Sequence, residues 1–239
     1  MDRMRPRQRP AGRAQGSQRW HSLLFSHWEV PEQLLRPLVP GTLGLDAYDG
    51  RYYIGVVAFT MQRVRPYWYL PAFPTAREFG EINVRTYVHL DGREPGVYFF
   101  SLDAASSLAV WAARTFWSLP YFKAEIAAHN GAASASYTCR RHTPELSFDA
   151  HADLGRTALP APEPASLPFF LCERYQFYTE DARGLWRARV HHAPYELFDA
   201  DARVDTTLVS ALGLPTHGVR TPDFYSPGVD VEIYPMTRV

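Results

Sequence analysis

"EINVRTYVHLDGREPGVYFFSLDA", residues 81–104, contains two runs of alternating side chains separated by a turn-rich segment. Successive side chains of a strand point to opposite faces, so a period of two marks β structure. EINVRTYVHL (81–90) and VYFFSLDA (97–104) read as the arms of a hairpin, with DGREPG (91–96) as the connection. On the first arm Glu81, Asn83, Arg85 and Tyr87 share one face, and Ile82, Val84 and Thr86 share the other. A face of Glu, Asn and Arg belongs either on solvent or in the polar lumen of a barrel wide enough to hold a ligand. In a lumen Glu81 and Arg85 must pair or bind something, because isolated buried charge is costly.

The same pattern extends outward. HSLLFSHWEV (21–30) reads as a strand, and PEQLLRPLV (31–39) as a short helix with Pro31 in its first turn. Leu45–Tyr48 and Arg51–Arg63 read as strands joined at Asp49-Gly50. PYWYLPAFPTAREFG (66–80) is a proline- and aromatic-rich loop, of the kind that forms lids and binding loops. AASSLAVWAARTFW (104–117) reads as a helix capped by Asp103, with Leu108, Trp111, Ala112, Thr115 and Phe116 on one face. PYFKAEIAA (120–128), ASASYTCRR (133–141) and ELSFDAHAD (145–153) read as three further strands. LGRTALPAPEPASLP (154–168) connects them to a hairpin, FFLCERYQFYTE (169–180) with LWRARVHHA (185–193). TTLVSALG (206–213) is a short helix and GVDVEIYPM (228–236) a last strand. About ten strands with two or three short helices predict a mainly β, α+β fold. The expected form is an antiparallel sheet closed or folded on itself, with the helices outside.

Composition narrows the function. Net charge is zero, but MDRMRPRQRPAGRAQGSQR (1–19) holds six arginines against one aspartate. That segment predicts a disordered basic tail, followed by a single domain over 20–239. The body is correspondingly acidic, so no nucleic-acid surface is expected. No stretch is long and apolar enough to span a membrane, and the tail lacks the apolar run of a secretory signal. Cys139 and Cys172 are isolated, which fits reduced thiols in a cytoplasmic protein.

Lys123 in LPYFKAEI (119–126) is the chain's single lysine. By alternation it shares a face with Tyr121 and Glu125. Glu125 beside it is either a surface partner or, in a low-dielectric site, a carboxylate that opposes desolvation of the amine. FDAHAD places Asp149, His151 and Asp153 on one strand face, where neighbours two apart rarely converge on one metal, so no metal or other cofactor is expected. No HExxH, GxSxG, P-loop or GxGxxG motif occurs.

Eight blocks carry a resemblance: LLFSHWEVPEQLLRPLVP, LDAYDGRYYIGVVAF, EINVRTYV, GVYFFSLDA, LPYF, FLCERYQFY, VHHAPYEL and YSPGVDVEIYP. In that order they resemble the YqjF-like family of uncharacterised bacterial proteins (domain of unknown function 2071). The resemblance implies the fold of acetoacetate decarboxylase, a closed antiparallel β-barrel with small outer helices. It carries no activity with it. The decarboxylase forms a Schiff base through a lysine that directly follows a proline and precedes a second lysine. Here Pro120 is followed by Tyr121 and Phe122, so Tyr121 stands in the nucleophile's place, and a phenol cannot form an imine. Glu81 is similar in position to the glutamate that lines the decarboxylase site.

Three expectations follow. The first is a polar barrel cavity in which Glu81, Asn83, Arg85, Tyr121 and Glu125 orient a small carboxylate or carbonyl metabolite without covalent chemistry. The second is an enzyme acting on a keto acid through Lys123 as a relocated Schiff-base amine, with Glu81 or Glu125 moving protons and Arg85 holding the carboxylate. The third is a structural or interaction protein with RPYWYLPAFP (65–74) as docking surface. Self-association into a homo-oligomer is compatible with all three.

Overall fold

In the computed structural model, which describes residues 1–68, 78–216 and 219–239, the hairpin of residues 81–104 belongs to one 13-stranded sheet. Its arms are β4 (Glu78–Leu90) and β5 (Arg93–Ala104). The turn between them is tighter than the sequence predicts: Leu90 pairs with Arg93, leaving only Asp91 and Gly92 in the loop. Both have positive φ, 49° and 70°, as a two-residue hairpin turn of matching twist requires. Asp49-Gly50 repeats the device, with φ of 48° and 73°.

The other strands are β1 (Gly16–Val30), β2 (Gly44–Leu45), β3 (Tyr52–Arg65), β6 (Tyr121–Asn130), β7 (Ser134–His142) and β8 (Glu145–Ala158). They are followed by β9 (Gln176–Asp181), β10 (Gly184–His192), β11 (Phe198–Thr206), β12 (Asp223–Ile233) and β13 (Thr237–Arg238). The hydrogen-bonded order is β13-β10-β9-β5-β6-β7-β8-β11-β12-β1-β3-β4-β2, with β4 also paired to β5 and β10 to β12. Most ladders are antiparallel, as expected, but β5 runs parallel to β6 and to β9. The helix between β5 and β6 makes the first of these parallel crossings, as such connections require.

Among the described residues four α-helices accompany the sheet: α1 (Glu32–Leu35), α2 (Ser107–Trp117), α3 (Leu167–Cys172) and α4 (Thr207–Ser210). Several local readings are corrected. The cap of α2 is Ser106, whose side chain accepts from the Ala109 amide, while Asp103 remains in β5. The expected apolar face of α2 is rotated: Trp111 and Phe116 are 57% and 53% exposed, and Ala109, Ala112 and Ala113 turn inward. FFLC belongs to α3, capped by Ser166, and not to a strand. Of the expected first arm only Tyr48 pairs across the Asp49-Gly50 turn, in an isolated bridge to Arg51, while β2 joins the end of β4. FDADARVDT, too charged to read as a strand, is β11.

Strand β1 begins at Gly16, inside the segment whose composition predicts a tail, and residues before it hydrogen-bond to the body. Arg3 reaches Asp46 at 2.5 Å, and Arg9 holds Glu232 with two hydrogen bonds of 2.8 and 2.5 Å. Arg3 also donates to the Ala47 carbonyl, and Arg189 of the body donates in turn to the Pro6 and Gln8 carbonyls of this segment.

Alternation separates two cores. Leu23, Phe25, Val57, Phe59 and Leu102 pack on one side of the sheet; Leu24, Ile54, Val56, Ile82 and Val84 pack on the other. Strand β4 is therefore covered on both faces, and Glu81, Asn83 and Arg85 are not on solvent. No helix among the described residues is long and apolar enough to cross a membrane.

Candidate functional site

The polar face of β4 opens into a cavity of about 160 Å³. Glu81, Asn83 and Arg85 line it, with Tyr121 entering from β6. Their relative exposures are 2%, 5%, 8% and 8%. Apolar neighbours flank each polar residue in register. Glu81 is opposite Phe59 on β3 and Ala104 on β5; Asn83 is opposite Val57 and Leu102; Arg85 is opposite Gly55 and Phe99. The site is thus a polar strip along one strand, between two apolar banks.

Glu81 accepts a hydrogen bond from the Tyr121 hydroxyl at 2.7 Å. Burial pushes its carboxyl up to about 8, against the Tyr121 hydrogen bond and with a contribution from nearby Asp103. Desolvation dominates because an isolated carboxylate in an apolar site loses its hydration. At neutral pH Glu81 is therefore largely protonated, a donor as well as an acceptor. The Tyr121 phenol is held well above its ordinary value by burial and by Glu81, so it stays neutral.

Arg85 presents the opposite charge without an answering carboxylate among the described residues. Its Nη2 donates to the Leu171 carbonyl at 3.1 Å, and its Nε is buried without a partner. The same carbonyl accepts from Tyr87 Oη at 2.7 Å. Asn83 Oδ1 is likewise buried and unpartnered. Buried polar atoms are normally paired, so these two on one cavity wall are exceptions.

Gly55, opposite Arg85 on β3, makes room for the His27 imidazole. A Cβ there would lie 2.7 Å from the imidazole of His27, whose Nε2 is hydrogen-bonded to Tyr87 Oη at 2.7 Å. Gly55→Ala is expected to destabilise by roughly 1–3 kcal/mol through overpacking, checked by urea unfolding.

Two of the expected residues are not brought to the site. Lys123 lies on the Tyr121 side of β6, as alternation requires, but past the rim. The β5–β6 ladder ends at Ala104 and Lys123, where β5 gives way to the approach to α2. The ammonium donates to the backbone carbonyls of Ala105, at 2.8 Å, and Ala124, at 3.2 Å. Glu125 is 76% exposed in its side chain and faces His142 at 3.2 Å. Most of 66–80, including the middle of the expected lid, falls in residues 69–77, outside the described residues.

Arg174 was missed. It lies just past α3, lines the cavity, and shares the buried Asp46 with Arg3, at 2.9 Å through its own Nη1. Its guanidinium stacks 4.3 Å from the Phe170 ring centre, and its Nη2 has no partner among the described residues. The signal was present in ERYQ, a polar interruption of an aromatic run. Two guanidiniums with one carboxylate between them give this end of the cavity a positive bias. Among the described residues no group of three or more His, Cys, Asp or Glu is placed to hold a metal.

The family model "Uncharacterized conserved protein", DUF2071, matches residues 17–230. The uncharacterized protein YqjF of Bacillus subtilis is 39% identical over 228 residues, covering 92% of this chain and 91% of that protein. An acetoacetate decarboxylase from Legionella pneumophila has a similar structure, with TM-score 0.66 and 12% identity over 95% of this chain and 90% of its own. The enduracididine biosynthesis enzyme MppR, solved in complex with pyruvate, superposes with TM-score 0.65 and 12% identity over 95% and 91% of the two chains. At these identities the two solved structures establish a shared, mostly β fold.

Proposed function

The chain belongs to the DUF2071 family of uncharacterized conserved proteins, and on that premise we propose that its cavity binds a small carboxylate or carbonyl metabolite without covalent attachment. The observation that carries this reading is Arg85, a buried cation without an ion-pair partner among the described residues, on the same wall as a protonated Glu81. A guanidinium takes a carboxylate through two parallel hydrogen bonds, which answers the buried charge. Arg174 adds positive bias, and Glu81 with Tyr121 offers neutral hydrogen-bonding groups for a carbonyl or hydroxyl oxygen. The pyruvate in the MppR structure supports a small acid as occupant of this fold. We read the additional β4–β5 and β10–β12 pairings as closing the sheet into a barrel around the cavity. The two buried free thiols support a reducing, cytoplasmic setting.

Chemistry through Lys123 has no geometric support, because its amine is engaged by backbone outside the cavity. A second reading rests on Glu81 instead. A carboxyl that titrates near neutral pH can move a proton on a bound carbonyl compound.

Calorimetric titration with a panel of carboxylates, pyruvate and acetoacetate included, tests the binding reading. Arg85→Met keeps most of the volume and removes the charge. A charge-assisted hydrogen bond contributes roughly 1.5–3 kcal/mol, so affinity should fall about ten- to hundredfold. A protein that binds no carboxylate of any size, or binds one equally well with methionine at 85, would overturn it.

A further inference from the structure

The dimensions of the polar strip bear on which carboxylate fits, a question that rests on the binding reading above. Glu81 and Arg85 are four residues apart on an unbroken strand, so their Cα atoms are separated by ~13 Å. The extra residue at the β4–β5 irregularity between Val84 and Arg85 belongs to β5, and leaves the β4 spacing intact. The Arg85 guanidinium is tied to the Leu171 carbonyl, which Tyr87 Oη also binds, and the Glu81 carboxyl is tied to Tyr121. A keto acid of three or four carbons carries its carboxylate and carbonyl within about 4 Å of each other, so both side chains would have to lean together along the strand to hold its two ends.

Apart from Asn83, whose Oδ1 is free to accept a hydrogen bond, what lies between the two ends is apolar. Val57 and Leu102 flank the midpoint at Asn83, Phe59 and Phe99 stand toward the two ends, and Ala109 and Ala113 of α2 form part of the far wall. The small side chains on that wall leave width rather than filling it. At about 160 Å³ the space resembles the ~150 Å³ apolar cavities that accept a benzene ring. Aromatic side chains on both banks give such a ring edge and face partners.

We infer that the cavity is built for an aryl carboxylic acid: a carboxylate on Arg85, a two- or three-carbon spacer, a single aromatic ring between the apolar banks, and a ring hydroxyl or carbonyl oxygen on Glu81 and Tyr121. A para-hydroxylated phenylpropanoate measures roughly 9 Å from carboxyl carbon to phenol oxygen, so with a hydrogen bond of ~2.8 Å at each end it reaches about 15 Å, enough to link the two ends of the strip. The ring oxygen distinguishes the far end, because the paired Glu81 carboxyl and Tyr121 hydroxyl lose a partner when it is missing.

The wild-type chain is titrated with 3-(4-hydroxyphenyl)propanoate, 3-phenylpropanoate, acetoacetate and pyruvate, so the comparison does not depend on a variant's folding. The hydroxylated aryl acid should bind at least tenfold more tightly than each of the other three. In Tyr121→Phe its advantage over 3-phenylpropanoate should shrink, while Ala113→Phe, which fills the trough, should weaken both aryl acids and spare acetoacetate. If acetoacetate or pyruvate binds as tightly as the aryl acids, and does so through Arg85, this inference falls and the carboxylate reading stands. If no carboxylate binds, both fall. Aryl acid binding that ignores Arg85→Met also overturns the assignment of the two ends.

Discussion

Asp103→Ala should lower stability by about 3–5 kcal/mol, the usual effect of stranding one member of a buried ion pair. Asp103 is completely buried on the face of β5 turned away from the cavity, and Arg141 is 4% exposed. Two hydrogen bonds of 2.6 and 2.5 Å join them, and Phe122 covers the guanidinium at 3.9 Å. Removing the carboxylate leaves a buried guanidinium with no anion. For a domain whose stability is ordinarily ~5–15 kcal/mol, that is a large fraction. The pair itself is not presumed strongly stabilising, because both ions were desolvated to form it. The double variant Asp103→Leu with Arg141→Met should therefore recover most of the loss in urea unfolding. Recovery of nothing would mean that the pair acts through something other than mutual charge compensation. Burial is the main cause of the raised Glu81 carboxyl and Asp103 a smaller one, so its removal should lower that carboxyl only in part.

Glu81→Gln should remove a pH dependence that the native chain carries. In the unfolded chain the carboxyl titrates near 4.5; in the fold burial raises it to about 8. Between those values the native state retains a proton that the unfolded state has released. Stability from this group is fully present below about 4.5 and is lost as pH rises through about 8. The slope within the window is about 1.4 kcal/mol per pH unit at most, several kcal/mol in total as an upper bound. Glutamine keeps the shape and cannot ionise. The stability difference between native chain and Glu81→Gln should be flat at low pH, move in favour of the variant across the window, and flatten again above it. A difference that stays constant from pH 4 to 9 would mean that Glu81 does not hold its proton in the fold.

Much of this was legible from residues alone, for a local reason. Strand alternation is a covalent property of an extended chain, so grouping Glu81, Asn83 and Arg85 on one face required no tertiary information. The choice between solvent and lumen did require it. What decides it is that Ile82 and Val84, on the opposite face, also have a core to enter, and that core is formed by β1, β3, β7 and β8 from distant parts of the chain. Lys123 failed for the complementary reason. Its face was read correctly, but the point at which β6 leaves its partner depends on where β5 turns off at Ala105, and no property of LPYFKAEI encodes that. Trp111 and Phe116 were placed inward because they are large and apolar. The cavity instead takes the alanine side of α2, where a bulky side chain would have filled the space.

The Asp91-Gly92 turn stands about 20 Å along the strand from Arg85, yet it sets the reading frame of the binding wall. A shift of one residue in β4 would put Ile82, Val84 and Thr86 into the cavity and drive Glu81, Asn83 and Arg85 into the apolar core behind it. Two residues of positive φ, remote from any ligand, thus decide whether the pocket is written in charges or in hydrocarbons.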